Sequence, residues 1–401
     1  MNKHDPAFRP SPSSSRRLSA VTDNSSPSRW TARHVGAIRP SRLPHADVLT
    51  AESIKPIAPQ LDTWDMWPVE TIDGDRAAIA GGTVWMALSA PILGDPILRH
   101  SHARIRLLHE VEGEWRDLGY LLPDNFGPGN RKWAGSAVLD ENGIVTLFYT
   151  SAGNLGESGG YRQRICRTRA TLDLRSGEPA FVRWSQPEEI IAADGLHYRI
   201  INEWEGSAGT IKAFRDPGFF RDPADGQHYL LFTASLAGSD HAFDGCIGIA
   251  RSASGLWGQW QLMSPLISAD GVNNELERPH IRHHNGLYYL FWSTQLSVFA
   301  PDGPTGPTGL YGMVGRSVAG PYHPLNGTGL VLANPPEEPA QTFSWLVLDD
   351  LRVASFIDSV GLGGAQPRDA AEARRHFGGC PAPMIRIALN GDKTSIVREA
   401  R

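Results

Sequence analysis

The sequence is short of cysteine, of long apolar runs, of surplus positive charge and of helical periodicity. Its three cysteines, Cys166, Cys246 and Cys380, are an odd number, with no Cys-x-x-Cys pair and no histidine cluster. That excludes a disulfide framework, gives no zinc signature, and leaves three ordinary buried thiols as the expectation. No apolar stretch approaches the roughly 18 residues that a membrane-spanning helix needs, so no membrane partner is expected. A formal net charge of −5 without a basic stripe argues against nucleic acid. Apolar positions recurring every 3.6 residues are almost absent, which argues against a helix-rich fold. Residues 1 to about 28 are poor in apolar residues and rich in Ser, Pro and Arg, so they read as a flexible tail. Ser15-Arg16-Arg17-Leu18 carries the letters of a twin-arginine export signal, but no apolar segment follows it.

What the chain does have is repetition. Asp65 stands in Trp64-Asp65-Met66-Trp67-Pro68, Asp216 in Phe214-Arg215-Asp216-Pro217, and Glu277 in Glu275-Leu276-Glu277-Arg278-Pro279-His280. After each acid come a short apolar strand, a polar turn and a second strand ending in Ser or Thr. The second strands read TVWMALSA, HYLLFTAS and LYYLFWST. Two further copies lack the acid: Trp133-Ala134-Gly135-Ser136 leads to IVTLFYTS, and Gln341-Thr342-Phe343-Ser344 to RVASFIDS. Five copies at intervals of roughly 60–85 residues form an internal period. A second kind of hairpin lies between them, as in ARIRLLHEVEGEWRDLGYLL and GIARSASGLWGQWQLMSPLI. β-Branched and aromatic runs bounded by Gly, Asn and Asp fit strands and turns.

Five inner and five outer hairpins predict an all-β fold: a five-bladed β-propeller with four-stranded antiparallel blades. The 12 Trp and 41% hydrophobic content can build its core. The expected division is a tail at residues 1–45, with a short helix near Arg29–His34, followed by one catalytic domain at 46–401. In a propeller the first strand of each blade lines the axis, so the repeated motifs should ring one end of a central funnel. Asp-Pro and Trp-Asp units also serve as turns, and Asp222-Pro223 just downstream of Asp216 reads as one. Asp216 is preferred because it opens its strand.

Convergent carboxyls suit glycoside cleavage, which needs a proton donor for the leaving oxygen and a second carboxylate across the sugar. Asp65 lies between Trp64 and Trp67, whose indoles offer sugar-stacking faces and exclude water, as suits a nucleophile. Glu277 has Glu275 nearby, which favours its protonated form, and Arg278, which opposes it. That makes Glu277 the better proton donor. Asp216, beside Arg215, is placed to stay ionised and grip sugar hydroxyls.

These motifs, with Gly309-Leu310-Tyr311-Gly312, Gly320-Pro321-Tyr322 and Ser355-Phe356-Ile357-Asp358, resemble glycoside hydrolase family 68, the levansucrases, inulosucrases and bacterial β-fructofuranosidases. The resemblance spans residues 29–400 and is nearest the Gram-negative branch. It implies a five-bladed propeller with an axial sucrose site, and sucrose and sugar acceptors as partners. By the same resemblance Asp65 is the nucleophile, Asp216 the transition-state stabiliser and Glu277 the general acid/base. Trp64, Trp133, Arg215, Glu275 and Arg278 resemble the sucrose-binding shell, and His102 and Arg104 an active-site loop. The expected enzyme needs no cofactor or metal, since a calcium site of Gram-positive relatives uses acids where this chain has Thr210 and Asn274. It is expected to be secreted, extracellular or periplasmic, without a recognisable cleavable signal peptide, and a monomer or weak homo-oligomer.

Two positions depart from the family pattern. Ala134 replaces a Ser found in some relatives, a mild change. Gln295 stands where polymer-forming members carry Arg or His. A Gln can hydrogen-bond a sugar but carries neither charge nor a transferable proton. The chain is therefore expected to hydrolyse sucrose and make short fructooligosaccharides, rather than act as a levansucrase making long-chain levan. At high sucrose, size-exclusion profiling of the wild-type products should show short oligomers and free fructose. Abundant high-mass levan would reject the Gln295 reading.

Overall fold

The computed structural model describes residues 26–157, 160–201 and 211–398. They are organised almost entirely as β-structure, in four sheets of six, ten, five and five strands. Within these sheets, the five repeats of the sequence form five antiparallel meanders. Their first strands are Leu61–Thr71, Arg131–Leu139, Phe214–Arg221, Glu277–His284 and Thr342–Val347. The first two meanders are fused into the ten-stranded sheet by parallel pairing of Val69–Thr71 with Ala137–Leu139.

Each first strand turns back through a short polar connection into an apolar second strand. Gly74, Gly143, Gly226 and Gly286 sit in these turns with φ between 73° and 87°, a region open to glycine without steric cost. The second strands are sealed on both faces. Tyr288, Leu290, Phe291 and Trp292, for example, are at most 4% exposed. Such strands read as continuous apolar runs rather than alternating ones.

The five first strands contact one another in the order of the chain, and the last returns to the first. A narrow cavity between them is lined by Trp67, Gly135, Asp216, Arg278 and Leu346, one residue from each strand among its walls. Its volume of about 40 Å³ is that of a water-sized gap in a filled centre.

All five first strands carry the same irregularity. Trp64 pairs with Leu88 and Trp67 with Met86, so the first strand holds one extra residue. The same one-residue excess recurs between Trp133 and Gly135, Arg215 and Gly218, Glu277 and His280, and Phe343 and Leu346. These are β-bulges, which bend a strand and re-aim its side chains. At four of them a non-glycine residue is left-handed: Asp65 (φ 46°), Asp216 (φ 60°), Arg278 (φ 52°) and Ser344 (φ 63°). That conformation costs on the order of 1–3 kcal/mol and persists only where its surroundings hold it.

The Ser and Thr that close the second strands provide the hold. Thr150 Oγ1 accepts from the Asp216 amide (2.8 Å) and donates to the Ala134 carbonyl (3.2 Å). Thr233 Oγ1 accepts from the Arg278 amide (3.2 Å) and donates to Asp216 Oδ2 (3.2 Å). Ser293 Oγ accepts from the Trp345 amide (2.9 Å). Each hydroxyl thus joins its own sheet to the next one round the ring.

The ring is closed by cations and by the C-terminal strands. Arg278 donates to the Met66 carbonyl (2.7 Å) and to the Ser344 carbonyl and hydroxyl (3.1 and 2.6 Å), tying three first strands together. Arg374 pairs with buried Asp62 (2.6 Å), and Thr63 Oγ1 donates to the Gly379 carbonyl (3.2 Å).

The boundary expected at residue 45 falls inside packed structure. Ser28–Arg29 pairs in parallel with Ile267–Ser268, a helix spans Ala32–Gly36, and Trp30 is 1% exposed against Trp292, Phe299 and Tyr311. The short helix expected near Arg29–His34 lies at Ala32–Gly36, and Trp30, Val35, Ile38 and Leu43 pack this segment onto the body. The twin-arginine letters at 15–18 and the rest of the tail to residue 25 lie outside the described residues. Cys166, Cys246 and Cys380 are buried free thiols.

Thr233→Val should strand the buried Arg278 amide and remove a donor from Asp216. We expect a loss of about 1–3 kcal/mol in urea unfolding, with Thr233→Ser recovering most of it.

Candidate active site

The bulges decide which residues share a level. Trp64, Trp133, Arg215, Glu277 and Phe343 are equivalent by register, and so are Asp65, Ala134, Asp216, Arg278 and Ser344. Asp65 and Asp216 therefore occupy matching places, both left-handed. Glu277 does not. It stands one residue earlier, at the level of Trp64 and Arg215, and Arg278 takes the place of the third acid. Three motifs aligned by their acidic letter conceal this offset, because the letters carry no register.

The acids nevertheless converge. Arg215 lies among them, with one terminal nitrogen 2.9 Å from Glu275 Oε2 and 2.7 Å from Glu277 Oε1, and its Nε 3.6 Å from Asp216 Oδ2. Arg215 and Asp216 are both 8% exposed, while Asp65, Glu275 and Glu277 are half-buried. Glu275 is oriented from behind. Its amide donates to Asn273 Oδ1 (2.9 Å), and Asn274 is held by the Ile211 carbonyl and by Lys212, itself paired with buried Asp244.

Burial and like charge set the acidities. Glu277 is pushed up to about 8, chiefly because burial disfavours its anion. Arg215 opposes this, and Glu275 and Asp216 add to it. Asp216 rises to about 6, again mainly by burial, with Arg215 and Arg278 opposing and Asp65 adding. Around neutral pH one carboxyl is protonated and another ionised within one site, the division of labour that acid–base glycosidases use.

The remaining expected residues fall into four groups. Trp64 (1% exposed) packs edge-on against His100 (5.9 Å between centroids), and half-buried Trp133 stacks on Tyr161 and donates to the His100 carbonyl (3.4 Å). Both indoles border the acids. Arg278 is buried as the strut described above, with Asp65, Asp216 and Glu277 in its field. Gln295, half-buried, follows the Leu287–Thr294 strand, its amide oxygen 3.5 Å from Ser297 Oγ. Arg104 faces elsewhere. It pairs with Asp124 (2.6 Å), lies over Tyr120 (3.6 Å) and lines a separate polar cavity of about 360 Å³ with Lys132 and Asn130.

Among the described residues no group of three or more His, Cys, Asp or Glu is placed to hold a metal ion. Thr210 lies outside them.

Several site residues escaped the sequence reading. Buried Arg99 sits over the rings of Trp64 (5.5 Å) and Phe377 (4.6 Å), and nothing in its local sequence signals that. His280 braces the Arg278 bulge. Its Nε2 accepts from the Val347 amide, which leaves Nδ1–H to donate to the Arg278 carbonyl, both at 2.9 Å. Asp358, near the end of the Arg352–Ser359 strand, lies in the fields of Arg99 and Asp65.

Buried carboxyls of unequal acidity, an arginine between them and indole walls in an all-β frame define a carbohydrate-cleaving enzyme of the glycosidase class. Residues 21–243 and 239–401 match the levansucrase/invertase family of glycoside hydrolases, and the chain belongs to that family. It is 31% identical over 377 residues to a levansucrase of Pseudomonas syringae pv. actinidiae, covering 84% of this chain and 83% of that one. An extracellular sucrase of Zymomonas mobilis is 31% identical over 359 residues, covering 82% and 83%. Among solved structures, an inulosucrase from Halalkalicoccus jeotgali bound to kestose superposes with a TM-score of 0.83 at 36% identity, over 92% of this chain and 95% of that one.

The two shifted carboxyls set the pH dependence. The rate constant kcat/KM should rise as pH increases through about 6, where Asp216 ionises, and fall through about 8, where Glu277 loses its proton. Glu277→Gln should abolish the alkaline limb along with most of the activity. Initial-rate profiles from pH 4 to 10 check both points.

Proposed function

We propose that the chain is a retaining β-fructosyl enzyme that takes sucrose as donor. The observation that carries this reading is the Arg215 hub, which holds Glu277 and Glu275 beside Asp216 and Asp65 while burial keeps Glu277 protonated.

Asp65 attacks the anomeric carbon of the fructosyl unit. The bond from that carbon to the bridging oxygen breaks, its electrons go to the oxygen, and Glu277 gives that oxygen a proton. Glucose departs and a fructosyl ester on Asp65 remains. Glu277, now ionised, takes a proton from water or a sugar hydroxyl. The resulting oxygen nucleophile displaces Asp65 and restores both acids. Two displacements at one carbon retain its configuration. Asp216, ionised and anchored by Thr233 and Arg215, stabilises the positive charge that develops on the ring in each step. Trp64, Trp133, Arg215, Glu275 and Arg278 shape the sucrose pocket, Arg278 mainly by fixing the bulges. Gln295 contributes a neutral hydrogen-bonding edge toward the acceptor, which favours water and short acceptors over a growing polymer.

The same reading takes the fold as five four-stranded blades about an axial funnel. The five equivalent bulged strands, their cyclic order of contact and the cavity between them support it. Secretion is part of the proposal, supported by the extracellular sucrase among the relatives. An arabinan- or xylan-cleaving glycosidase is disfavoured by the sucrose-related names of the matched relatives. A non-catalytic sugar-binding protein is disfavoured by a carboxyl kept protonated near neutrality, which binding alone does not require.

Asp65→Asn is expected to fold normally, with an unchanged melting temperature, and to release glucose from sucrose at least about 10³-fold more slowly, since a unit of interdependent groups fails as a whole. Undiminished glucose release by that variant would refute the assignment. Following free glucose against free fructose in the wild type separates hydrolysis from transfer.

A further inference from the structure

The fifth sheet carries an acid that the proposed reaction leaves unused. Asp358 lies near the end of the Arg352–Ser359 strand, and its amide donates to the carbonyl of fully buried Gln341 (2.8 Å). Register gives its place. In the fourth sheet Glu277 pairs with Ser293, and Gln295 follows two residues on. In the fifth sheet Phe343 pairs with Phe356, and Asp358 follows two residues on. Asp358 is therefore the counterpart of Gln295 on the adjacent sheet, at the same level of the site.

Its surroundings are those of a group awaiting a partner. The Asp358 side chain is half-buried and accepts no hydrogen bond from any described residue. Two charged groups act on it: Asp65 raises its proton affinity, as burial does first, and Arg99 lowers it. Arg99 makes no ion pair with it. The guanidinium is held instead by the faces of Trp64 and Phe377 and donates to the Pro96 carbonyl (2.9 Å). A partly desolvated carboxyl without a donor carries a cost. A polyhydroxylated ligand would remove that cost by supplying O–H donors.

We propose that Asp358 is a substrate-contacting residue, accepting hydrogen bonds from hydroxyls of the fructosyl unit seated over Asp65. The inference rests on the sucrose reading above. The fructosyl rather than the glucosyl unit is chosen because the Arg352–Ser359 strand that carries Asp358 packs against the Leu61–Thr71 strand that carries Asp65. The carboxylate selects by donor geometry: a sugar lacking the matching hydroxyl leaves it unpaired.

The test uses Asp358→Ala and the near-isosteric Asp358→Asn in the full chain, with product inhibition by fructose and by glucose measured separately. The expected result for Asp358→Ala is an inhibition constant for fructose raised about 10- to 100-fold, the loss of one charged hydrogen bond, with that for glucose changed less than about twofold. Asp358→Asn, whose amide oxygen still accepts, should recover part of the loss. It also carries the test should the alanine variant fail to fold. Unchanged fructose inhibition in a folded variant, or equal weakening of both sugars, would overturn the proposal. If the wild type released no glucose from sucrose, the parent reading would fail first, whereas normal wild-type turnover with an indifferent Asp358 would sink this inference alone.

Discussion

One extra residue in each of five strands is the constraint on which the site depends. Every first strand bulges at the same register, and four of the five bulges hold a non-glycine residue in left-handed backbone. Left alone, such a residue would relax and carry its side chain away from the axis. At two of the four bulges a hydroxyl from the preceding sheet holds it by capping the amide: Thr150 caps Asp216 and Thr233 caps Arg278. The same hydroxyls join neighbouring sheets. The placement of Asp216 and Arg278 and the joining of neighbouring sheets therefore share their hydrogen bonds.

Charge is built onto that frame. Three carboxyls around one centre would repel each other strongly, and Arg215 is the counter-ion that lets them coexist. Its attraction does not neutralise them equally. Burial outweighs the cations at both groups, pushing Glu277 up to about 8 and Asp216 to about 6, and at Asp216 Arg278 opposes it together with Arg215. Arg278, the cation at the level of Asp65 and Asp216, is committed to backbone carbonyls and a serine hydroxyl. It lends the site positive field while its main effect is to stop the strands from moving.

Much of this was legible in the chain. The five-fold repeat announced five equivalent strands because strand, turn and strand each leave a compositional trace. The acids were found because two of them share a motif with the third. Other residues left no such trace. Trp30, with Val35, Ile38 and Leu43, anchors an N-terminal segment whose composition reads as loose chain. Arg104 opens the Arg104–Val111 strand, where it pairs with Asp124 and lies over Tyr120, contacts that its motif does not announce. Arg99 reaches Trp64 only because the chain folds a short helical segment back over the first sheet.

By itself the sequence determined the strand-forming segments, their five-fold recurrence and the kinds of group available for chemistry, since composition and period 2 patterning are local properties. Tertiary structure decided which of those groups are equivalent and which are neighbours. A bulge shifts register by one residue without changing a letter, so Glu277 belongs with Trp64 and Arg215, while Arg278 belongs with Asp65 and Asp216. It also decided acidity, because a carboxyl's proton affinity depends on water excluded and charges gathered from distant parts of the chain.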